Sequence, residues 1–244
     1  MTPEEFTAAT ASKIQQIGAM HYFDPAAKAA AEELGLDGLR FYFVGRAGVL
    51  GDSPAEVAQS SFGYFEPGLL AKMWNTGKER ANFAATAQAQ LGVAHQIGAD
   101  RLGGVEGLAD AAVAMRQMAE AVDPAGLPLF AGFRGMETPE DPTQAFMHQA
   151  IVHRELRGSV HLACCAALGL PSRAAHQLKR PNDQEAFGYK DTLELNEGDE
   201  GIYAQLEPMT EAAMVRHASA ISVEQRSQVA AVVDAAHSAL GLNN

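Results

Sequence analysis

The sequence predicts a mostly all-α protein, a single compact multi-helix domain with a small β-hairpin or a degenerate winged-helix element near its C-terminus. Three observations carry this. Helix starts recur as a capping residue followed by proline or acids, at Thr2-Pro3-Glu4-Glu5, Asp24-Pro25 and Ser53-Pro54-Ala55-Glu56. Alanine-rich stretches, 78–98 and 104–121, repeat apolar residues at helical spacing. The run from Phe146 to Cys165 keeps that spacing unbroken between Pro142 and Pro171.

Taken in order, the helix from Thr2 runs to about His21-Tyr22-Phe23, and Asp24-Pro25 restarts it until Gly35. Residues 37–50 are dense in aromatics and read as a buried helix ending at Gly51. Ser53, with Glu56 three residues later, has the spacing of a capping box. Pro67 opens a further helix through Met73 and Trp74. Asp123-Pro124-Ala125-Gly126 is a turn, and Leu127–Phe133 a short apolar piece. Pro171-Ser172 begins a short helix after Gly169. Residues 180–206 change character: Thr192–Leu195 and Ile202–Ala204 could pair as strands across the acidic turn Asn196–Gly201. Two helices close the chain, around 208–219 and from the Ser222 cap to Gly241. The expected division is a helical core over 1–170 that holds a pocket, and a C-terminal helical region over 171–244 packed on it.

Composition excludes several classes. The chain has 47% hydrophobic and 20% charged residues, an ordinary globular balance, and no apolar run of about 18 residues that could span a membrane. Its acidic start lacks a secretory pattern, and Cys164 and Cys165 offer neither a disulfide framework nor a zinc set. The cytoplasm is the expected location. A net charge of −12 works against broad attraction to nucleic acid or anionic membranes.

The Phe146–Cys165 run carries the chemistry. At about 100° per residue, His153, Arg154, Arg157 and His161 fall within an arc of about 100° on one face. Cys164 and Cys165 follow near the same side, while His148 and Glu155 point to the other. Such a cluster serves either as an anion or polar-ligand site or as a buried network tying helices together. Tyr42 and Arg46, four apart, share a helix face. Arg46 would meet a carboxylate such as Glu155 or Glu66, or a ligand anion, as a fork, with Tyr42 as its hydrogen-bond partner. The histidine spacings are not those of helical zinc ligands, so no metal is assigned. No cofactor is assigned either, haem ligation by one histidine staying open.

Three segments, His21-Tyr22-Phe23, Phe41–Gly51 and Arg154-Glu155-Leu156-Arg157-Gly158-Ser159-Val160-His161, together resemble an actinobacterial family of helical proteins often labelled helix-turn-helix. The resemblance covers roughly residues 15–170 and includes the aromatic segment Phe62–Pro67. It implies a C-terminal third like a winged helix of the MarR kind. Here that third departs from the family pattern: Leu206–Glu211 lacks the wing glycine, and basic residues are few beyond Lys179, Arg180 and Lys190.

The expected function is small-molecule binding in an enclosed pocket that takes a ligand with an anionic group. Its lining would be His21, Tyr22, Tyr42, Arg46, Tyr64, His153, Arg154, Arg157 and His161. Should a reaction be catalysed, His161, Glu155 and Tyr42 are the acid–base candidates. The alternatives are a MarR-like winged-helix transcriptional regulator and a structural or partner-binding module. Strong nucleic-acid binding is not expected, and a homodimer is the oligomer considered.

Overall fold

The computed structural model describes residues 1–243, which form helices and turns with no strand among them. Local chemistry sets the helix starts. Thr2 and Glu5 form a reciprocal capping box on α1 (Pro3–Ala19), and Asp24 caps α2 (Pro25–Glu33) through the Ala26 amide. Asp37 caps α3 (Gly38–Ala47), which tightens into a single 3₁₀ turn before Gly51 at φ 71°. Gly51 is one of the places where the chain needs a left-handed residue.

Ser53 does not cap α4 (Ala55–Phe62) as its spacing predicts; Pro54 holds that position. The Ser53 carbonyl instead accepts bonds from Trp74 Nε1 at 2.9 Å and Lys78 Nζ at 3.0 Å, which fixes the residue outside the helix. Those donors lie on α5 (Pro67–Lys78). The chain continues through α6 (Phe83–Arg101), α7 (Leu108–Glu120) and α8 (Pro128–Arg134).

The axis of the fold is α9 (Pro142–Leu168), 27 residues without a break. Asp141 starts it by accepting from the Thr143 and Gln144 amides. Gly169, at φ 69°, ends it, with the Leu170 amide reaching back to the Cys165 carbonyl. Helices α1, α6, α7 and α8 pack around α9, and so does α11 (Asp199–Ala218). The remaining two helices are α10 (Ser172–Lys179) and α12 (Val223–Ala239), the latter packed on α1 and α7. No helix is long and apolar enough to cross a membrane.

The expected hairpin over 192–204 is absent. Both backbone groups of Leu193 bind one side chain, Gln177, at 2.7 and 2.8 Å, which takes the place of a partner strand. Asn196–Gly198 is not a hairpin turn but the start of α11: Gly198 sits at φ 96°, and Asp199 and Glu200 place acids at the positive helix end. Ile202–Ala204 are therefore helical, and α11 passes through Pro208 instead of starting there. With no strand among the described residues, the C-terminal third has no wing.

Two apolar clusters result. The larger surrounds α9; the smaller, built on Phe43, Phe62, Phe65, Leu70 and Trp74, lies among α3, α4 and α5. Close helix approach depends on glycine at specific points. A Cβ on Gly98 of α6 would lie 2.7 Å from the Thr143 carbonyl and 2.8 Å from Met147 Cγ on α9. We expect Gly98→Ala to destabilise by about 1–3 kcal/mol through overpacking. Gly92→Ala, on the same helix but facing open space, should instead stabilise by about 1 kcal/mol. Denaturant titration of the two variants checks the pair, and equal effects would contradict this packing.

Candidate functional site

Arg46 is the anchor. It lies on α3 with 9% of its surface exposed, and its guanidinium donates to both Glu155 oxygens, Nε at 3.0 Å and Nη2 at 2.8 Å. Glu155, on α9, has no exposed surface and also accepts from Arg154 at 2.5 Å. Glu66, the other carboxylate within sequence reach, is spent capping α5. The two cations hold the Glu155 carboxyl below its ordinary range although burial pushes it up, so the glutamate stays ionised. The remaining Arg46 nitrogen donates to Tyr42 Oη at 3.2 Å, which leaves the tyrosine proton free for another acceptor. The guanidinium also sits 4.6 Å over the Phe62 ring.

Beside this anchor is a cavity of about 230 Å³, placed between the two clusters. Five cationic side chains line it: Arg46, Arg154, Arg157, Lys179 and Arg180. Arg157 and Lys179 share Glu207, the former at 2.6 Å, and Arg180 lies 3.6 Å from Asp183. Five cations thus face three carboxylates at this cavity, with Arg46, Arg154 and Arg157 largely buried and Lys179 and Arg180 exposed, in a chain whose net charge is −12.

Gly158 forms part of the wall. It lies in the middle of the unbroken α9, where an added Cβ would find nothing within 4 Å, so no packing constraint requires glycine. Relative to alanine it costs the helix about 1 kcal/mol. What it provides is room.

His161 completes the polar lining. Thr210 gives its hydroxyl proton to the Leu206 carbonyl at 2.9 Å, so its oxygen accepts from His161 Nδ1 at 3.1 Å. That assigns the proton to Nδ1 and leaves Nε2 with a free lone pair. Burial lowers the imidazole to about 4, with Glu207 opposing, and the ring is neutral near pH 7. It is an acceptor, not a further cation. Tyr64 stands between His161 and His176, with ring centroids 6.4 and 5.5 Å away, and burial raises its hydroxyl.

The structure thus brings together Tyr42, Arg46, Tyr64, Arg154, Arg157 and His161. It does not bring in His153, whose Nε2 donates to the Met115 carbonyl on α7 at 2.8 Å. The helical arc anticipated for the cluster is turned by about 60°, because Gly158 and Leu162 and not His153 face the cavity. Nor do His21 and Tyr22 share this space; they line another cavity on the far side of Tyr42. Glu155 lies behind the arginines as their counter-charge. Lys179, Arg180, His176 and Gly158 were not anticipated as lining. The available signals were the one adjacent basic pair in an acidic chain and a glycine beside Arg157 in mid-helix.

Fold and site together define an all-helical protein with a cavity lined by cations. The chain belongs to a helix-turn-helix family, whose profile matches residues 7–239. No curated protein and no solved structure matches it.

Two outcomes follow from the buried charges. Arg46→Ala should cost about 3 kcal/mol, the low end for breaking a buried pair, since Arg154 still holds Glu155. Urea denaturation measures it, and a loss under about 1 kcal/mol would mean the pair is not the anchor. Histidines 95, 148, 153 and 161 are each lowered to about 4, and His21 to about 3, chiefly by burial. Between pH 6.5 and 4 the unfolded chain therefore binds more protons than the native one, so stability falls as pH falls through that window. Below about 4.5, protonation of Glu155 adds to the loss. An unfolding midpoint constant from pH 6.5 to 4.5 would contradict neutral, buried histidines.

Proposed function

We propose that this chain binds a small molecule through an anionic group, a phosphate, sulfate or carboxylate, held in the Arg46–Arg154–Arg157 cavity. The observation that carries this reading is the convergence of five cations on one small cavity against three carboxylates. Guanidinium forks match the paired oxygens of such groups, and partial burial strengthens the attraction over that in water. Arg46 and Arg154 are pre-set by Glu155, so little side-chain entropy is lost on binding. Neutral His161 Nε2 would accept from a hydroxyl or amine beside the anion, and the Tyr42 proton would donate to it. If the bound molecule reacts, His161 is the base the geometry favours, because Glu155 is committed to two arginines.

Inorganic phosphate or sulfate at millimolar concentration should raise the melting temperature of the purified chain more than equal ionic strength of chloride. Gly158→Leu should keep or raise the basal melting temperature and remove the phosphate-specific part. A wild-type chain with no anion-specific stabilisation would sink the reading, and so would an unchanged response in Gly158→Leu.

Family membership favours a second reading, a DNA-binding regulator. Short turns do join several helix pairs, α9 to α10 across Gly169–Pro171 and α11 to α12 across Ser219–Ser222. In the first pair, however, Ala174, Ala175 and His176 of α10 are buried, and Lys179 is paired with Glu207. In the second, residues 199–244 carry six acidic and two basic side chains, and one of the two, Arg226, is buried on the Ala218 and Ile221 carbonyls. Neither pair offers the basic face that phosphate neutralisation requires. We expect no sub-micromolar binding to a defined duplex at physiological salt; such binding, weakening steeply with added salt, would favour the regulator.

A further inference from the structure

The cavity that gathers the cations also has a surface made of rings. From His161 they run in a row: Tyr64 at 6.4 Å between centroids, then His176 at 5.5 Å, Phe187 at 4.1 Å and Phe65 at 4.5 Å. Phe62 follows at 6.1 Å and lies under the Arg46 guanidinium, so the row ends where the cations begin. All six line the cavity, and Tyr64 and Phe187 keep part of their surface uncovered. Backbone hydrogen bonds hold the row in place. Ser172 Oγ donates to the Gly63 carbonyl just before Tyr64. The Phe65 carbonyl accepts from Gln59 Nε2 at 3.0 Å and Tyr189 Oη at 3.2 Å, and the Glu66 amide donates to the Phe187 carbonyl at 2.9 Å. Rings already fixed in this way lose little entropy when another ring stacks on them.

The cations carry a definite surplus. Arg46 and Arg154 share Glu155, and Arg157 and Lys179 share Glu207, so four positive charges meet two negative ones. Arg180 is set against Asp183 at 3.6 Å and adds nothing to the difference. A surplus of two suits a dianion better than a carboxylate or a sulfate ester, each of which carries one charge. A phosphate monoester carries about −1.5 to −2 near pH 7 and offers three strong acceptor oxygens. Size sets the other half of the ligand. A cavity of about 150 Å³ takes one benzene ring. The 230 Å³ here is room for one ring and a small group attached to it, and a bare phosphate would leave the aromatic row uncovered.

We propose that the ligand of this cavity is the phosphate monoester of a single aromatic ring. Its phosphate lies among Arg46, Arg154 and Arg157, and its ring stacks on the row at Tyr64 and Phe187. The inference rests on the anion reading above and narrows it to one class. Charge selects the phosphate, and the row of rings selects what the phosphate is attached to.

Isothermal titration calorimetry of the purified chain near pH 7.5 is the test, with four probes. Phenyl phosphate should bind at least ten-fold more tightly than methyl phosphate, which has the charge without the ring. It should bind at least five-fold more tightly than phenyl sulfate, which has the ring with a single charge. Cyclohexyl phosphate, apolar but not flat, should bind at least three-fold more weakly than phenyl phosphate. Phe187→Leu and Tyr64→Leu each keep an apolar side chain and remove one ring of the row. Each should shrink the phenyl-to-methyl preference to below three-fold, and either one that keeps the wild-type melting temperature serves. An undiminished preference in a folded variant overturns the stacking, and with it the proposal. If wild type responds to inorganic phosphate but prefers phenyl phosphate to none of the three other probes, the inference is overturned and the anion reading stands. If no phosphate compound binds, the anion reading itself fails and this inference falls with it.

Discussion

Glu155 is the residue on which the site depends. A carboxylate with no exposed surface is costly unless charge and hydrogen bonds surround it, and Arg46 from α3 and Arg154 from α9 supply both. The same contact joins the small cluster of α3, α4 and α5 to the large one around α9. It is therefore a joint as well as a counter-charge. Because the guanidiniums are drawn to Glu155, their other faces lie toward the space where the clusters do not meet. The cavity and its charge have one cause.

Glu207 plays a matching part from the other wall. It holds Arg157 of α9 and Lys179 of α10, although it belongs to α11. Two carboxylates on two different helices thus steady four cations on three, which is why the cationic lining does not fly apart by self-repulsion. Most of the acid in this chain lies elsewhere, on outward faces, so the cation-lined cavity stands out against a chain that is acidic as a whole.

Much of the fold was legible because local signals agree. The capping box at Thr2, the Asp-Pro at 24–25, the cap at Ser222 and the proline-free run of α9 each write a helix boundary or its interior within a few residues. The C-terminal region was misread where a local signal competes with a distant contact. Leu193 looked like strand because it alternates with polar neighbours, yet a single glutamine side chain from α10 satisfies its backbone. Pro208 looked like a helix start, though the acids at 199 and 200 had already begun one. In the site, Arg46, Arg154, Arg157 and His161 stood out because charge is rare in apolar runs. His153 stood out for the same reason but bonds a backbone carbonyl, and periodicity cannot tell which neighbour a buried histidine will find.

The bare backbone at Gly158 separates two properties that binding sites usually mix. Charge in the cavity is fixed by arginines locked to carboxylates, and no conservative change there leaves the scaffold untouched. Capacity is set at a residue where an added Cβ would meet nothing. A lineage could therefore narrow the chamber by a few atoms, with alanine, serine or valine at that position, while the charge around it stayed constant. The size of the chamber and the charge on its walls would then change on different residues.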